Sequence, residues 1–202
     1  MKKIIITALM LATGIFSSSS ISAQKGSNTS LLYTFGVPFG SLDDHTGNWS
    51  GRGVTLEYQK EVAQSLSVGF NLSYSVFCGQ MSKDTYYQDN MAITGVKYNY
   101  NNIVPMLVTG NYTFGHHAIG PYIGLGVGTL YDRRTTNMGL YSLEEDNWHF
   151  AMSPQAGFIF DTGAPVSLKL AFKYDHAFKI QNSDAFGMLQ MSIGIVFVKM
   201  PN

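Results

Sequence analysis

The chain has few charged residues and no long apolar segment beyond its N-terminus. Charged side chains make up 13% of its 202 residues, whereas an ordinary soluble protein has about 25%. Lys and Arg number 13, as do Asp and Glu, so no excess of positive charge indicates a nucleic-acid partner. After the N-terminus no run reaches the roughly 18 apolar residues that a membrane-spanning helix needs. These absences exclude a helical membrane protein and make an ordinary soluble protein a poor match.

Cysteine is also scarce. Cys78 is the only one in the chain, which excludes a framework of disulfides within it. Residues 1–23 contain Lys2 and Lys3, an apolar core of 13 residues and a serine-rich end at Ala23. This order is typical of a secretory signal peptide. We therefore predict export, with residues 24–202 forming the mature domain, and Cys78 lies too far from the cleavage site to anchor a lipid.

The sequence does contain eight segments in which apolar and small polar residues alternate. From Leu66 to Val76, apolar side chains occupy every second position, with serine, glycine and asparagine between them. A period of two residues is typical of a β-strand with one apolar and one polar face. We predict strands at 31–40, 54–59, 66–76, 104–114, 123–131, 150–160, 166–175 and 189–197.

The polar face of the Leu66–Val76 segment lacks the charges that keep a soluble surface hydrated. Small uncharged side chains opposite an apolar row fit a crowded interior, with the apolar row turned outward to lipid. A secreted lipocalin-type carrier is the alternative, and it requires the reverse arrangement, with apolar side chains inside and charged ones outside. The faces of the strands therefore decide between a membrane barrel and a soluble one.

Eight strands predict a closed barrel, because open sheet edges cannot be satisfied in hydrocarbon and an even strand number places both ends on one side. Long and short connections alternate, so the long ones are expected outside the cell and the short ones in the periplasm. We predict an all-β fold, an eight-stranded antiparallel up-and-down transmembrane β-barrel, monomeric and in the cell outer membrane. The long connections are 41–52, 79–102, 132–147 and 176–185, and the short ones are 61–65, 115–121 and 161–165.

One predicted strand contains a proline, Pro154, at an interior position, and the predicted strands carry aromatic residues near their ends. Pro154 withholds a ladder hydrogen bond, so we expect a bulge or bend there. Aromatic residues near the strand ends are typical of the belts at membrane interfaces. They are Tyr33, Tyr58, Tyr74, Tyr112, Phe114, Tyr131, Phe160 and Tyr174.

The strand motifs NNIVPMLVTGNYTFG, PYIGLGVG, WHFAMSPQAGF and MSIGIVF resemble the small outer membrane protein β-barrel domain family, related in architecture to OmpA-, OmpX- and OmpW-type barrels. The resemblance spans the mature chain and implies contact with outer-membrane lipids and lipopolysaccharide. It also implies recognition by the barrel-assembly machinery through a terminal strand, where Ser192, Gly194 and Phe197 match part of the signal. Lys199 stands where a second aromatic residue is expected.

Polar residues predicted to face inward include four charges. Because buried charges are costly unless paired, we expect a carboxylate–ammonium network in the lumen, surrounded by amide side chains. Such a network is either an ion path or a structural plug, and an eight-stranded barrel is just wide enough for side chains to fill it. The predicted network comprises Glu57, Lys169, Lys173 and Asp175, with Gln59, Asn111, Gln155 and Gln190 around them.

Enzymatic and cofactor motifs are weak. Asp175, His176 and Ser183 invite comparison with outer-membrane lipid A deacylases, but in that family the His and Ser lie two residues apart in one strand. Ser183 is seven residues from His176, so we expect no enzyme. The pair His116–His117 has no nearby Cys or carboxylate, so we expect no metal. Gly124, Gly126 and Gly128 lack the spacing of a dinucleotide loop; they predict a small inner face and no cofactor.

The long connections carry candidate binding residues. Arg133 and Arg134 could contact lipopolysaccharide phosphates, since Arg binds phosphate through two hydrogen bonds. The connection 79–102 combines tyrosine with asparagine, as adaptable binding loops do, and could contact a host surface or glycan. The sequence thus predicts a structural or surface-interaction role, with a narrow porin as the alternative. The tyrosines of this connection are Tyr86, Tyr87, Tyr98 and Tyr100.

Overall fold

A computed structural model describes residues 26–47, 49–88, 91–114, 119–138, 141–163, 166–181 and 183–199. The predicted signal peptide and the pair His116–His117 lie outside these residues. Within the described part of the chain, no helix is long and apolar enough to cross a membrane.

Eight antiparallel strands form a closed barrel in which each strand pairs with the next and the last pairs with the first. The predicted fold class is therefore confirmed. One short helix, α1, interrupts the strands between the first and the second. The elements are β1 (Ser27–Gly40), α1 (Ser41–Thr46), β2 (Ser50–Ala63), β3 (Leu66–Gln88), β4 (Met91–Thr113), β5 (Ile119–Met138), β6 (Tyr141–Phe160), β7 (Val166–Ala177) and β8 (Phe186–Lys199).

The strands turn an apolar row outward, and small polar side chains predominate on the face toward the lumen. On β2, Leu56 is 47% exposed while the adjacent Glu57 is 2% exposed. The same alternation runs through β1 and β3, where Ser73 and Ser75 are buried between exposed leucine and tyrosine. This arrangement is the reverse of a lipocalin-type barrel, which keeps its apolar row inside.

Outward aromatic side chains collect near both ends of the barrel, where several contact one another. At the short-turn end, Tyr112 packs edge-on against Phe114 with 5.0 Å between ring centroids. At the opposite end, Tyr131 and Trp148 lie 5.0 Å apart, as do Tyr33 and Phe35. Such paired belts are typical of barrels that cross a bilayer.

Two predicted long loops are instead continuations of strands. Residues 79–88 and 91–102 belong to β3 and β4, and residues 132–138 and 141–147 belong to β5 and β6. Apolar alternation ends in these segments, yet the backbone ladder continues without it. The two hairpins also pair with each other, since Tyr98 lies opposite Asn137. We call this four-stranded extension, formed by 77–88, 91–103, 132–138 and 141–149, the outer sheet.

The other two predicted long loops are shorter than expected. Within residues 41–52, α1 occupies 41–46 and β2 begins at Ser50. Within residues 176–185, β7 continues to Ala177, and β8 begins at Phe186 just after them. Of the bulge or bend predicted at Pro154, the bulge is absent. The β6–β7 register is the same on both sides of it, because Met152 pairs with His176 and Gln155 with Lys173. Proline only interrupts the ladder between these two pairs.

The glycine run of β5 serves close packing against β4. A Cβ atom on Gly124 would overlap the Asn111 side-chain oxygen, and one on Gly128 would overlap the Met106 carbonyl. Glycine at these positions therefore makes room for the neighbouring strand and its inward side chains.

Candidate functional site: the barrel interior and its two ends

The centre of the barrel holds a buried ion pair between β2 and β7. The Lys169 ammonium donates a hydrogen bond to Glu57 Oε2, and both side chains are 3% exposed. Asn71 Nδ2 donates to the other Glu57 oxygen at 2.7 Å. Because desolvating two charges is costly unless every lone pair is satisfied, these contacts are what allow the pair to lie inside.

A second ion pair lies further along β7, nearer its outer end. Lys173 Nζ is 3.5 Å from Asp175 Oδ2 and donates to Ser73 Oγ at 3.0 Å and to Asn71 Oδ1 at 3.3 Å. Asn71 therefore connects the two ion pairs, since its amide group donates to Glu57 and accepts from Lys173. The four predicted charges form one network with equal numbers of positive and negative groups.

Hydroxyl and amide groups extend this network around the wall. Ser192, Thr34, Thr55 and Ser73 form a continuous hydroxyl chain with oxygen separations of 2.8, 2.9 and 2.9 Å. The four predicted amide residues also face inward but lie in separate contacts. Gln59 donates to Thr109, Gln155 to Asn111 and Gln190 to Ser75.

An apolar layer closes the outer half of the lumen, which the sequence analysis missed. The residues are buried and face one another across the barrel, although an inner face of small polar residues was predicted. The sequence signal was available in IVPMLVTG, residues 103–110, where Ile103 and Leu107 fall on the inward-facing row of β4. The layer comprises Leu42, Phe77, Ile103, Leu107, Leu130, Ala151, Ala177, Phe186 and Met188.

Helix α1 covers this layer at the outer mouth and inserts Leu42 into it. Gly40 and Gly47 flank the helix with φ of 68° and 64°, a backbone conformation that glycine adopts without strain. Asn99 Nδ2 on the outer sheet donates to the His45 carbonyl at 2.6 Å. The helix is thereby fixed over the mouth by both burial and hydrogen bonding.

The structure separates Arg133 from Arg134, because consecutive residues of a strand face opposite sides. Arg134 faces inward, where it pairs with Asp132 at 3.0 Å and donates to Ser41 Oγ at 3.3 Å. Arg133 faces outward and pairs with Glu144 and Asp146. Of the two predicted lipopolysaccharide contacts, only Arg133 lies on the outer surface, and its charge is already compensated.

The predicted assembly residues occupy different faces of β8. Ser192 is buried in the hydroxyl chain, whereas Phe197 is exposed on the outer surface. Gly194 packs against the backbone of Leu31 and Leu32 on β1, where a Cβ atom would overlap it. These residues thus lie at the seam where β8 pairs with β1 and closes the barrel.

The suspected catalytic residues do not come together. Asp175 is buried in the lumen beside Lys173, whereas His176 faces outward and stacks on Tyr174 with ring centroids 6.3 Å apart. Ser183 lies in the β7–β8 connection, bridged to Ile180. Within the described part of the chain, no three His, Cys, Asp or Glu side chains form a group that could hold a metal ion.

The β7–β8 connection carries an exposed ion pair at the outer end. Lys179 Nζ donates to Asp184 Oδ1 at 2.7 Å. This hydrogen bond and the attached charge lower the pKa of Asp184 and raise the pKa of Lys179. Both side chains are 70% exposed, so the pair is a surface feature and contributes little to the lumen.

Among the residues that the structure describes, the short-turn end of the barrel is open. A cavity of about 240 Å³ enters there and ends at Gln59, Tyr122 and Lys169. We call it the short-turn cavity. The charged network and the apolar layer lie between it and the outer mouth, so the lumen is accessible from one end and filled beyond it.

No protein-family model matches the chain, and no curated protein sequence matches it. Solved structures do match. A major outer membrane protein from Thermus thermophilus is 10% identical, with a TM-score of 0.55 over 86% of this chain and 99% of the other. Ail, the attachment invasion locus protein of Yersinia pestis, in complex with the heparin analogue sucrose octasulfate, is 11% identical, with a TM-score of 0.51 over 87% of this chain and 97% of the other. At such identities the likeness concerns the fold: the chain has the architecture of the small eight-stranded outer-membrane barrels, as its strand motifs predict.

Proposed function

We propose that this chain is an integral outer-membrane barrel with a closed lumen, whose outer sheet serves as a surface for interaction with molecules outside the cell. The observation that carries the proposal is the outer sheet itself, four paired strands that continue past the outer aromatic belt. In β3, residues 77–88 at about 3.3 Å per residue extend roughly 40 Å along the strand. Strands of this length are not required to span a bilayer.

The filled lumen supports a surface role over a channel. The ion pairs of Glu57 with Lys169 and of Lys173 with Asp175 occupy the centre, and the apolar layer with α1 occupies the outer half. A conducting path would need a continuous column of water through both layers. The narrow porin is therefore the weaker candidate, and we expect no conductance above the background of a planar bilayer.

The outer sheet offers two features that suit recognition. Within the described residues, β3 beyond Ser75 has no strand partner on its β2 side, and β6 before Ala151 has none on its β7 side. Free edges present backbone donors and acceptors that an extended segment can pair with. Its outward face carries exposed Tyr98 and Tyr100, residues that give large contact areas at low entropic cost.

The charges of this face narrow the choice of ligand. Arg133 is paired with Glu144 and Asp146, so the face has no free cluster of cations among the described residues. A polyanion such as the heparin analogue bound to Ail therefore fits this surface poorly, and a neutral glycan or protein surface fits better. Lipids and lipopolysaccharide would contact the barrel wall below, and the barrel-assembly machinery would recognise β8.

Location and orientation can be tested with an epitope inserted at either end. Inserted between Gln88 and Met91 it should be accessible to antibody on intact cells, and inserted at the Gln64–Ser65 turn it should require permeabilised cells. Unboiled protein from the outer-membrane fraction should migrate differently from boiled protein on gels. Recovery in the soluble periplasmic fraction with no shift would refute the membrane location.

The surface role can be tested by shortening one hairpin. Gln80 and Tyr98 lie opposite each other, so replacing residues 81–97 with Asn-Gly should close the hairpin with a two-residue turn. We expect unchanged gel mobility but reduced adhesion of expressing cells to epithelial monolayers and to arrayed neutral glycans. The control is the Gln64–Ser65 insertion, which alters the opposite end. Equal adhesion of both variants and the parent would contradict the proposal.

A further inference from the structure

The short-turn cavity has the size and walls of a small ligand site. All eight strands contribute to its lining, and its volume of about 240 Å³ corresponds to about eight water molecules at roughly 30 Å³ each, or to one sugar ring. Uncharged side chains predominate in the lining. They are Asn28, Ser30, Gln59, Gln64, Ser65, Ser67, Asn111, Thr113 and Ser167.

Two buried polar groups at the floor of the cavity have hydrogen-bonding capacity that the protein leaves unused. Gln59 is 5% exposed; its amide nitrogen donates to Thr109 Oγ1 at 2.7 Å, but its Oε1 accepts no hydrogen bond. Tyr122 is 2% exposed; its hydroxyl oxygen lies beside the Lys169 ammonium, which can donate to it, and its proton has no acceptor. Buried polar atoms are nearly always hydrogen-bonded. The floor therefore offers one acceptor and one hydroxyl to whatever fills the cavity.

The charges around the cavity select a neutral occupant. Lys169 lies over the Tyr122 ring, 4.7 Å from its centroid, and its charge is compensated by Glu57. Glu61 and Asp161 line the rim and are exposed. An anion would thus be repelled at the rim and find no free cation at the floor. A cation would find no free carboxylate at the floor, because Glu57 is paired with Lys169. An apolar ligand would leave Gln59 and Tyr122 unsatisfied.

Hydroxyl groups of a ligand suit both floor groups, because a hydroxyl can donate to Gln59 Oε1 and can accept from the Tyr122 hydroxyl. Beside them, Ile159 and Val196 contribute apolar surface to the same lining, which suits the C–H faces of a sugar. Water can also bind the two floor groups, so the experiment must distinguish a sugar from water alone.

We propose that the short-turn cavity binds one neutral sugar ring, with its hydroxyl groups hydrogen-bonded to Gln59 Oε1 and to the Tyr122 hydroxyl. The ring belongs either to a free monosaccharide or to the terminal unit of a glycan. The site lies inside the barrel, and it stands whether or not the outer sheet has the role proposed above.

The test uses the mature chain, residues 24–202, refolded in detergent, with glucose, N-acetylglucosamine and its β1,4-linked disaccharide as probes. Ligand-observed NMR should show saturable binding with a dissociation constant on the order of 1 mM. Tyr122→Phe removes the hydroxyl but keeps the ring under Lys169. Since one hydrogen bond contributes about 0.5–1.5 kcal/mol, binding should weaken roughly 2- to 10-fold.

A blocking variant and a matched control locate the site. Gly120 lines the cavity, and a Cβ atom there would meet its nearest neighbour, Thr113 Cγ2, at 3.4 Å. Gly120→Leu should therefore fold, fill the cavity and abolish binding. On β4, Gly110 lies on the outward row and has no atom within 4 Å of its Cβ position. Gly110→Leu should bind as the parent does, and gel mobility verifies that each variant forms the barrel.

The result distinguishes the sources of the ligand and can overturn the proposal. Tighter binding of the disaccharide identifies a glycan end, and equal binding identifies a free sugar. Absence of saturable binding for all three probes would mean that only water fills the cavity. Binding that persists in Gly120→Leu, or inorganic phosphate binding as tightly as the sugars, would equally refute the assignment.

Discussion

Removal of one partner from the Glu57–Lys169 pair should destabilise the barrel strongly. Both side chains are 3% exposed and in direct contact, so Glu57→Gln leaves the Lys169 ammonium buried without a counter-ion. Breaking a buried pair in this way costs about 3–5 kcal/mol. Glu57→Ala should cost more, because it also leaves Asn71 Nδ2 without the acceptor that it contacts at 2.7 Å, a loss of about 1–3 kcal/mol.

Replacement of both charges separates a structural plug from an ion path. The double variant Glu57→Gln with Lys169→Met removes the buried charge altogether, and such replacements are often neutral or stabilising. The loss of the contact between Lys169 and the Tyr122 ring should cost about 0.5–2 kcal/mol. The double variant is therefore expected to be more stable than Glu57→Gln alone.

The assay is reversible urea unfolding in detergent or lipid vesicles, followed by the gel-mobility difference between folded and unfolded protein. Lys179→Ala is the control, because it breaks an ion pair that is 70% exposed and should leave the transition almost unchanged. A structural role for the ion pair is refuted if the urea midpoint of Glu57→Gln equals that of the parent, or if the double variant is no more stable than Glu57→Gln. Conductance that rises in either variant would favour an ion path.

Three further predictions concern other parts of the molecule. Leu42→Ala should destabilise the barrel by about 2–5 kcal/mol, because Leu42 is fully buried in the apolar layer; unchanged melting would show that α1 is not seated there. Gly124→Val should impair assembly through overlap with the Asn111 side chain, whereas Gly110→Val should fold normally; equal yields of heat-modifiable protein would contradict this. NMR titration should place the pKa of Asp184 below its ordinary value of 3.8. The small stability from Asp184 is then present above the unfolded pKa and lost as the pH falls through the folded one, so a pKa at or above 3.8 would exclude the pairing with Lys179.

The strands and their faces could be predicted because each depends on neighbouring residues only. In Leu66–Val76, apolar and polar residues alternate with a period of two. The absence of charge from the polar row indicates which face lies inside the barrel. The alternation of side chains between the two faces of a strand is also enough to place Glu57, Lys169 and Lys173 in the lumen. The local sequence pattern was therefore enough to predict the barrel architecture and to identify which residues face the lumen.

The outer sheet and the apolar layer could not be predicted in the same way. Residues 79–88 and 132–138 have no apolar alternation that marks them as strands, and only backbone pairing identifies them. The apolar layer combines Leu42 of α1 with residues from six strands. Such residues come into contact only when the barrel closes. The alternation in β4 did, however, place Ile103 and Leu107 on the inward-facing row.

The sequence by itself determined that the chain alternates, carries few charges and turns its small polar face inward, since these are properties of single strands. Only the tertiary structure decided which inward groups meet. Lys169 reaches Glu57 across a separation of 112 residues, and Gln59 and Tyr122 share the floor of one cavity. Contacts of that kind depend on the register and closure of eight strands, which fix the height of every side chain in the lumen and which no local pattern encodes.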